Sequence, residues 1–393
     1  MSADKGSFNS AEKIHGRFVE TPIDGETVRA YVPPPLSPQI AAALGTDTYD
    51  LLEQANRALG RLDGVSQLLP DPSLVIDFYV RKEAVLSSQI EGTQSSLSDV
   101  LLFESGETPG VPLEDAEEVT NYVKAMNHGL RRLREDGFPL SLRLLREIHE
   151  ILMSGARGGD KAPGEFRRSQ NWIGGTRPGT AACVPPPPQL LSETLGALEK
   201  FMHRADVPLL IKSAMVHVQF ETIHPFLDGN GRLGRLLITF LLCSQGVLSE
   251  PLLYLSLYFK THQHAYYEHL QNIRFSDGWR SWLVFFLEGV RVTAHQAFET
   301  ARRLVQLADE DRASLGAIGR RAGSAVQVHD ALRRRPIVSA REIERLTGLT
   351  APTVNAVIAE LEKLGMLKEV TGKKRDRIYA YQRYLGVLNE GLG

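Results

Sequence analysis

The segment from His224 to Arg235 reads HPFLDGNGRLGR and gathers a histidine, a carboxylate, three glycines and two arginines within twelve residues. The apolar residues that follow recur at helical spacing and predict a helix over residues 231–245. The backbone amides at the start of a helix, together with the open Gly229–Gly231 turn before it, form a cradle for anions. We therefore expect this segment to bind phosphate groups.

The charged side chains of the segment specify the chemistry further. Arg232 and Arg235 are three residues apart and can share one side of the helix, where two guanidinium groups suit a polyphosphate. Asp228 can hold Mg²⁺ between phosphate oxygens, and His224, neutral at cellular pH, can act as a general base toward a hydroxyl. Taken singly, each residue is ordinary for a loop, a turn or a solvated helix face. Their joint occurrence favours phosphoryl-type transfer.

The segment resembles the signature of the Fic family, HPFx[DE]GNGRxxR, and matches it at every specified position. The resemblance implies a helical fold that binds ATP with Mg²⁺, or with Mn²⁺ in its place. It also implies transfer of AMP to Ser, Thr or Tyr hydroxyls of target proteins and of the protein itself, with release of pyrophosphate. By this resemblance His224 is the catalytic base and Asp228 the metal ligand. The phosphate-binding residues are Asp228, Gly229, Asn230, Gly231, Arg232 and Arg235.

Two further stretches extend the resemblance. The irregular stretch over residues 155–188 contains a segment similar to the family's flap, which aligns a target peptide by backbone hydrogen bonding. Its aligning residues are expected to be Ile173, Gly174, Val184 and Pro185; a proline-rich surface loop is the alternative. Tyr266 and Tyr267 fall where similar proteins place aromatic residues near adenosine, and Tyr267 is the expected contact. Packing in the core is the alternative for this pair.

The sequence SSQIEG resembles the inhibitory motif [ST]xxxE[GN] of one class of these proteins, with Ser87, Glu91 and Gly92 at its specified positions. Ser87 and Glu91 are four residues apart and share a helix face. The resemblance implies that Glu91 pairs with Arg235 and so withholds it from the γ-phosphate. The alternative is an exposed helix end. In some family members the same glutamate is linked to removal of AMP, which leaves a bifunctional enzyme open.

The elements that must position these residues are predicted to be mainly α-helical, with a short β flap. We expect an extended, proline-rich N-terminal arm over residues 1–48, a helical region with the inhibitory helix over 49–112, and a Fic-type catalytic core over 113–310. The inhibitory helix is predicted to begin near Asp71-Pro72 and to stop at Gly92. Further helices are predicted over residues 115–135, 141–154, 189–203, 208–222, 231–246, 262–274 and 279–310.

Residues 323–393 follow a different pattern. Ser339 can cap a helix, Gly348 supplies a turn, and a second helix ends at Gly365 before two β-like runs that flank residues 371–375. This order predicts a winged helix. Basic residues on the wing and upstream could contact DNA phosphates, although neighbouring glutamates dilute the charge. A protein-interaction or dimerisation module is the alternative. The basic residues are Arg333, Arg334, Arg335, Lys373, Lys374, Arg375 and Arg377.

The bulk composition names no partner, because the net charge is −2 and the pI about 6.6. The two cysteines, Cys183 and Cys243, lack the spacing of a zinc site or a disulfide framework. With no signal peptide and no apolar run of the roughly 18 residues that span a bilayer, we expect a cytoplasmic protein without a membrane partner. A DNA-binding regulator with a nucleotide-sensing Fic core, a Fic transferase with another nucleotide donor, and a homodimer remain open.

Overall fold

The protein is described from a computed structural model. It covers residues 16–23, 25–42, 45–68, 72–104, 106, 108–155, 159–276, 278–373 and 375–390. The helices are α1 (Gln39–Ala42), α2 (Thr46–Leu68), α3 (Pro72–Ile90), α4 (Leu97–Glu104), α5 (Leu113–Arg134), α6 (Leu142–Leu152), α7 (Leu191–Met202), α8 (Leu209–Ile223), α9 (Asn230–Ser244), α10 (Ser256–Thr261), α11 (Gln263–Phe275), α12 (Trp279–Gly316), α13 (Ala322–Arg334), α14 (Ala340–Thr347), α15 (Ala351–Lys363) and α16 (Gln382–Asn389). The strands are β1 (Arg17–Ile23), β2 (Glu26–Val32), β3 (Ile337–Ser339), β4 (Leu367–Glu369) and β5 (Ile378–Tyr381). The mainly helical fold is as predicted.

The N-terminal segment is where the sequence prediction was wrong. Residues 17–32 do not form an extended arm, because β1 and β2 pair as an antiparallel hairpin. Gly25 makes the turn with a left-handed φ of +82°, and Val28 and Ala30 on β2 are buried while Thr27 and Arg29 are exposed. An Asp-Gly pair between runs of β-branched and aromatic residues is the hairpin signal that the prediction overlooked. Residues 1–15 lie outside the described part of the chain.

The core is built around α8 and α9. Every residue of α8 after Leu209 is buried, as is expected of a helix surrounded by other helices. The long helix α12 crosses the same core, where Trp282 donates to the carbonyl of Ala214 at 3.0 Å. All seven predicted core helices are present as α5 to α9, α11 and α12. The short helices α1, α4, α10 and α16 are among those that were not predicted. Helix α12 continues to Gly316, beyond the expected end of the core at residue 310.

Helix α3 carries the SSQIEG segment at its carboxyl end. It begins at Pro72 and ends at Ile90, and Gly92 follows with a φ of +103°, so the predicted start and stop are confirmed. Asp71 lies outside the described residues. The Tyr79 hydroxyl donates to the carbonyl of Ala297 at 2.6 Å, which ties α3 to α12. Helix α3 is therefore tied to α12 near its middle, and Ser87 in its last turns bonds to Arg235 of α9.

The C-terminal residues form four helices, α13 to α16, and a three-stranded antiparallel sheet in the order β3-β5-β4. Ser339 caps α14 by accepting from the amide of Glu342 at 3.2 Å, as predicted. Gly348 and Gly365 both adopt a φ of +69° after their helices. The predicted order of helix, turn, helix and two strands is therefore present, whereas Lys374 of the predicted wing lies outside the described residues. Across the part of the chain that the structure describes, no helix is long and apolar enough to cross a membrane.

Candidate active site

The twelve-residue motif folds into a tight turn between α8 and α9. His224 follows the end of α8 as its C-cap, in the left-handed region with φ +48° and ψ +61°, and Gly229 precedes α9 as its N-cap, with φ +75°. The side chain of Asn230 closes the turn, since its Oδ1 accepts from the amide of Phe226 and its Nδ2 donates to the Phe226 carbonyl, both at 2.9 Å. The amides at the start of α9 are thereby held at the site as a fixed anion cradle.

Two glycines of the cradle have no room for a side chain. A Cβ at Gly229 would lie 2.6 Å from Sδ of Met153, on a backbone conformation that L residues rarely adopt. A Cβ at Gly231 would overlap Oε1 of Glu91. The carboxylate of Glu91 therefore occupies the space directly against the start of α9, where an anionic ligand would approach.

The two motif arginines are both buried but lie against different helices. Arg235 donates from Nε to the Ser87 hydroxyl at 2.8 Å, and from Nη2 to the Ser87 carbonyl at 3.0 Å and to Oε1 of Glu91 at 2.6 Å. Arg232 pairs through Nη1 with Oε1 of Glu118 on α5 at 3.0 Å. Both guanidinium groups thus meet carboxylates of the chain itself, and the pairing of Glu91 with Arg235 that the resemblance implied is present.

Glu91 is held in its charged form. Burial raises the pKa of its carboxyl group, but the attraction of Arg235 and the hydrogen bond from it outweigh burial and leave the pKa below its usual range. The side chain of Glu91 remains 37% exposed, in contrast to 2% for Arg235. The carboxylate can therefore leave the arginine toward solvent, whereas the arginine is confined.

His224 is placed to act as a neutral base. Burial, and then the nearby positive charge of Arg274, lower the pKa of its imidazole to about 3. Its Nδ1 lies 3.4 Å from the carbonyl of Glu221, so Nδ1 carries the proton in this contact. Nε2 is then the ring nitrogen with a free lone pair, which a general base requires.

Asp228 projects from the turn with its side chain about half exposed, and its Oδ1 accepts from the amide of Gly229 at 2.6 Å. The backbone of Asp228 is held by His149. Nδ1 of His149 accepts from the amide of Gly164 at 2.9 Å, so Nε2 carries the proton. This Nε2 donates to the carbonyl of Asp228 at 3.0 Å. Among the described residues no three His, Cys, Asp or Glu side chains converge on a metal position. A single exposed carboxylate still fits Mg²⁺, which is commonly bound by one or two carboxylates together with substrate phosphates.

The structure separates the two tyrosines of the predicted adenosine contact. Tyr266 is 1% exposed, and its hydroxyl lies 2.8 Å from Nε2 of the buried His217, so it belongs to the core. Tyr267 is 44% exposed, and its phenol is close enough to Glu91 and Arg235 for their charges to affect its pKa, which burial raises first. Tyr267 is thus near the Glu91–Arg235 pair, and its contact with adenosine stays a prediction.

The predicted flap contains a short antiparallel bridge. The amide of Ile173 donates to the Cys183 carbonyl at 2.8 Å, and the Cys183 amide donates back at 3.2 Å. Gly174 follows with φ +67°. On the other side, the carbonyl of Val184 accepts from the amide of Tyr31 on β2 at 2.8 Å, and that of Pro185 accepts from Nε2 of Gln170 at 2.8 Å. A backbone hydrogen bond therefore joins the N-terminal hairpin to the flap segment at Val184.

Four residues of the site escaped the sequence reasoning. His149, Glu118 and Arg167 reach the motif only through the fold, and their surrounding sequence carries no pattern that predicts this. Glu221 lies three residues before His224, so its nearness to the motif was the one available signal. Its buried Oε1 has no hydrogen-bond partner in the described structure, and burial raises the pKa of its carboxyl group to about 7.

Comparisons with known proteins identify the type of domain that contains this site. Residues 49–131 match the model described as Fic/DOC family N-terminal, and residues 139–242 match the Fic/DOC family model. A Fic family protein of Desulfovibrio desulfuricans has a similar fold, with a TM-score of 0.58 and 20% identity over 89% of this chain and 98% of that one. The two matches to family models support the Fic family, whereas the likeness to the solved structure supports the fold.

Two curated relatives are named as protein adenylyltransferases. The protein adenylyltransferase Fic of Aedes aegypti is 30% identical over 246 residues, which are 59% of this chain and 44% of that protein. A probable protein adenylyltransferase of Aquifex aeolicus is 28% identical over 188 residues, 48% of this chain and 54% of the relative. The chain therefore spans about half or less of the length of these relatives.

Proposed function

We propose that this protein is a protein adenylyltransferase that transfers AMP from ATP to a Ser, Thr or Tyr hydroxyl of target proteins and of itself. The observation that carries the proposal is the turn from His224 to Arg235, which joins a neutral base to an anion cradle and two buried arginines. The names of the relatives support the same reaction.

The reaction assigns a role to each of these groups. Nε2 of His224 accepts the proton of the target hydroxyl, the hydroxyl oxygen forms a bond to the α-phosphorus of ATP, and the bond to the leaving pyrophosphate breaks. The amides of Gly229, Asn230 and Gly231 and the side chains of Arg232 and Arg235 bind the phosphates and stabilise the charge that develops on them. Tyr267 contacts the adenosine. The reaction gains most from positioning and charge, which is what these residues supply.

Mg²⁺, or Mn²⁺ in its place, would be held by Asp228 together with ATP phosphates. When bound, the metal would neutralise part of the phosphate charge. The exposed carboxylate of Asp228 supports this assignment, because its backbone is held by His149 and its side chain faces outward.

In this proposal the resting enzyme is inhibited by Glu91. Its carboxylate pairs with Arg235 and lies against Gly231, so it competes with the terminal phosphate of ATP for both the arginine and the cradle. The flap residues Ile173, Gly174, Val184 and Pro185 align the target strand. Since β2 already donates to the Val184 carbonyl, we expect the target backbone to pair on the Ile173–Gly174 side.

The test uses Glu91→Gly protein with each labelled nucleoside triphosphate, alone and with cell lysate. Labelling of protein by α-labelled ATP, absent from Glu91→Gly/His224→Ala, supports the proposal, and mass spectrometry identifies donor, target and side chain. If only another nucleoside triphosphate labels protein, that nucleotide and not ATP is the donor.

Release of AMP from purified labelled target by the parent protein would show that the enzyme also removes AMP. Nucleotide binding with no labelling from any donor would overturn the proposal in favour of a nucleotide sensor.

For residues 323–390 we propose a winged-helix module that binds DNA. Lys373, Arg375 and Arg377 lie on the exposed stretch between β4 and β5, where a wing meets the phosphate backbone. Arg335 is already paired with Glu342 and does not add to this surface. Filter binding of duplex DNA should weaken steeply with salt, and Lys373→Gln/Arg375→Gln should lower the salt slope by about 1 to 2. Arg302→Gln, which removes a charge at an exposed position of α12, is the control. No retention of DNA at low salt would favour a protein-interaction module.

A further inference from the structure

Arg167 is a buried cation between the flap and the catalytic turn. Its side chain is 3% exposed, and within the described part of the chain no carboxylate lies within ion-pair distance of it. Burial lowers the pKa of its guanidinium group to about 10, so the group remains charged at neutral pH. Its hydrogen bonds all go to backbone carbonyls. A charge retained in such surroundings needs a reason, because burying it without an ionic partner is unfavourable.

One group of these bonds holds the catalytic histidine. Nε of Arg167 donates to the carbonyl of His224 at 2.9 Å, and its backbone amide donates to the carbonyl of Pro225 at 2.9 Å. His224 adopts a left-handed φ of +48°, which is unfavourable for a residue with a side chain. The two bonds from Arg167 fix the peptide groups on either side of Pro225 and so maintain this conformation.

The other group of bonds holds the flap. Nη1 of Arg167 donates to the carbonyl of Ser169 at 3.2 Å, and Nη2 donates to that of Pro186 at 2.5 Å. Ser169 and Pro186 bracket the flap bridge between Ile173 and Cys183 on its two sides. A single planar guanidinium group therefore connects both ends of the flap to the backbone of His224.

We propose that Arg167 is a positioning residue that fixes the flap, and with it the target hydroxyl, relative to Nε2 of His224. It touches neither ATP nor target and acts through the flap and the histidine. This inference rests on the proposed transfer reaction for its kinetic consequence. The compact ammonium group of lysine cannot reproduce the planar set of N–H donors of a guanidinium group. Arg167→Lys therefore keeps the charge and loses the simultaneous hydrogen bonds to the flap and to His224.

The kinetic test compares Arg167→Lys and Arg167→Ala in the Glu91→Gly background. Because misplacement by about 1 Å can cost about 100-fold in rate, we expect kcat for transfer to fall by about 30- to 100-fold while the Kd for ATP changes by less than about twofold. Guanidinium ion added to Arg167→Ala should restore part of kcat. Arg168→Ala, which changes the exposed neighbouring residue in the same background, is the control. It should have the same kcat and the same Kd for ATP as Glu91→Gly protein. An unchanged kcat, or equal losses in kcat and ATP affinity, would overturn the proposal.

Hydrogen exchange provides a readout that needs no activity. In Arg167→Ala the amides of Ile173 and Cys183 should exchange at least about tenfold faster, while those of α8 and α9 remain protected. Unchanged exchange in the flap would overturn the proposal, and so would faster exchange throughout α8 and α9, which would assign Arg167 a merely structural role. A Glu91→Gly protein that transfers no nucleotide would instead refute the proposed function, and flap exchange would still decide whether Arg167 positions the flap.

Discussion

Oε1 of Glu91 lies 2.6 Å from Nη2 of Arg235 and at the same time fills the space in which Gly231 has no side chain. One carboxylate oxygen thus neutralises Arg235, the more buried of the two motif arginines, and covers the start of α9, where we propose that the phosphates bind. Charge and volume act together, so removing the charge alone and removing the whole side chain should have different effects.

Glu91→Gly should raise the affinity for ATP by about 10- to 100-fold, because a charge-assisted hydrogen bond of about 1.5 to 3 kcal/mol no longer has to be broken. Glu91→Gln, which keeps the size and loses the charge, should lie between Glu91→Gly and the parent protein. Titration calorimetry with ATP and Mg²⁺ measures all three. Glu20→Gln changes an exposed glutamate on β1 and is the matched control. Equal affinities for the parent and Glu91→Gly would contradict the competition.

The pH dependence of transfer should reflect the lowered pKa of His224. A base with the ordinary histidine pKa near 6.5 would be only about one quarter neutral at pH 6. Because burial and Arg274 lower the pKa of His224 to about 3, the imidazole stays neutral from pH 8 to pH 6. We expect kcat/KM of Glu91→Gly protein, which reports the free enzyme, to stay level over this range. A fall of severalfold toward pH 6 that follows one protonation near 6.5 would show that His224 titrates normally.

Asp228→Asn should weaken the dependence on Mg²⁺ without disturbing the turn. The amide oxygen of asparagine can still accept from the amide of Gly229, whereas the negative charge that attracts the metal is lost. In the Glu91→Gly background we expect at least about a tenfold higher Mg²⁺ concentration for half-maximal transfer. Asp160→Asn, an exposed carboxylate of the neighbouring loop, is the control. An unchanged Mg²⁺ requirement would remove Asp228 from the metal site.

The sequence predicted those features that depend on neighbouring residues. Apolar spacing and capping residues gave the helices of the core, the stop at Gly92 and the cap at Ser339. The turn between α8 and α9 was predictable because the residues that form it all lie within the twelve-residue motif. The N-terminal hairpin was missed because the prolines at residues 33–35 were given more weight than the turn at Gly25.

Contacts between distant segments were not accessible to the same reasoning. Glu118 and Arg167 are ordinary charged residues in the sequence, and only the packing of their segments against α9 and the catalytic turn gives them partners. The pairing of Glu91 with Arg235 spans 144 residues, and it was reached through a family resemblance because helical periodicity does not reveal which helices meet.

The tyrosine pair offers a test of which side chain meets adenosine. Tyr267→Ala should lower ATP affinity by about 5- to 10-fold, as expected when an aromatic contact of about 1 kcal/mol is lost, with little effect on the thermal midpoint. Tyr266→Phe removes a hydroxyl that bonds to buried His217, so it should lower stability and leave ATP affinity nearly unchanged. Calorimetry and thermal unfolding of both variants decide the assignment. The reverse pattern would place Tyr266 at the nucleotide.

Glu221 should make the protein less stable as the pH rises. Burial raises the pKa of its carboxyl group from 4.5 to about 7, so the folded state binds more protons than the unfolded state between these values. The stability that the protonated group contributes is complete below pH 4.5 and is lost as the pH rises to about 7. Glu221→Gln cannot ionise, so its unfolding free energy should fall by about 2 kcal/mol less than that of the parent between pH 5.5 and 8.

Urea unfolding at several pH values measures this difference. Only the change with pH is interpreted, because the neutral amide also alters the packing against Gly234, whose missing side chain leaves room for Oε1 of Glu221. Glu268→Gln, at an exposed position on α11, should give a curve parallel to that of the parent. Burial also raises the pKa of the Glu83 carboxyl group to about 7. The unfolding free energy of Glu221→Gln should therefore still fall with pH in part, and that of the double variant Glu221→Gln/Glu83→Gln should change little with pH. Parallel curves for the parent and Glu221→Gln would mean that Glu221 is ionised in the folded protein, with Arg235 and Arg274 as its counter-charges.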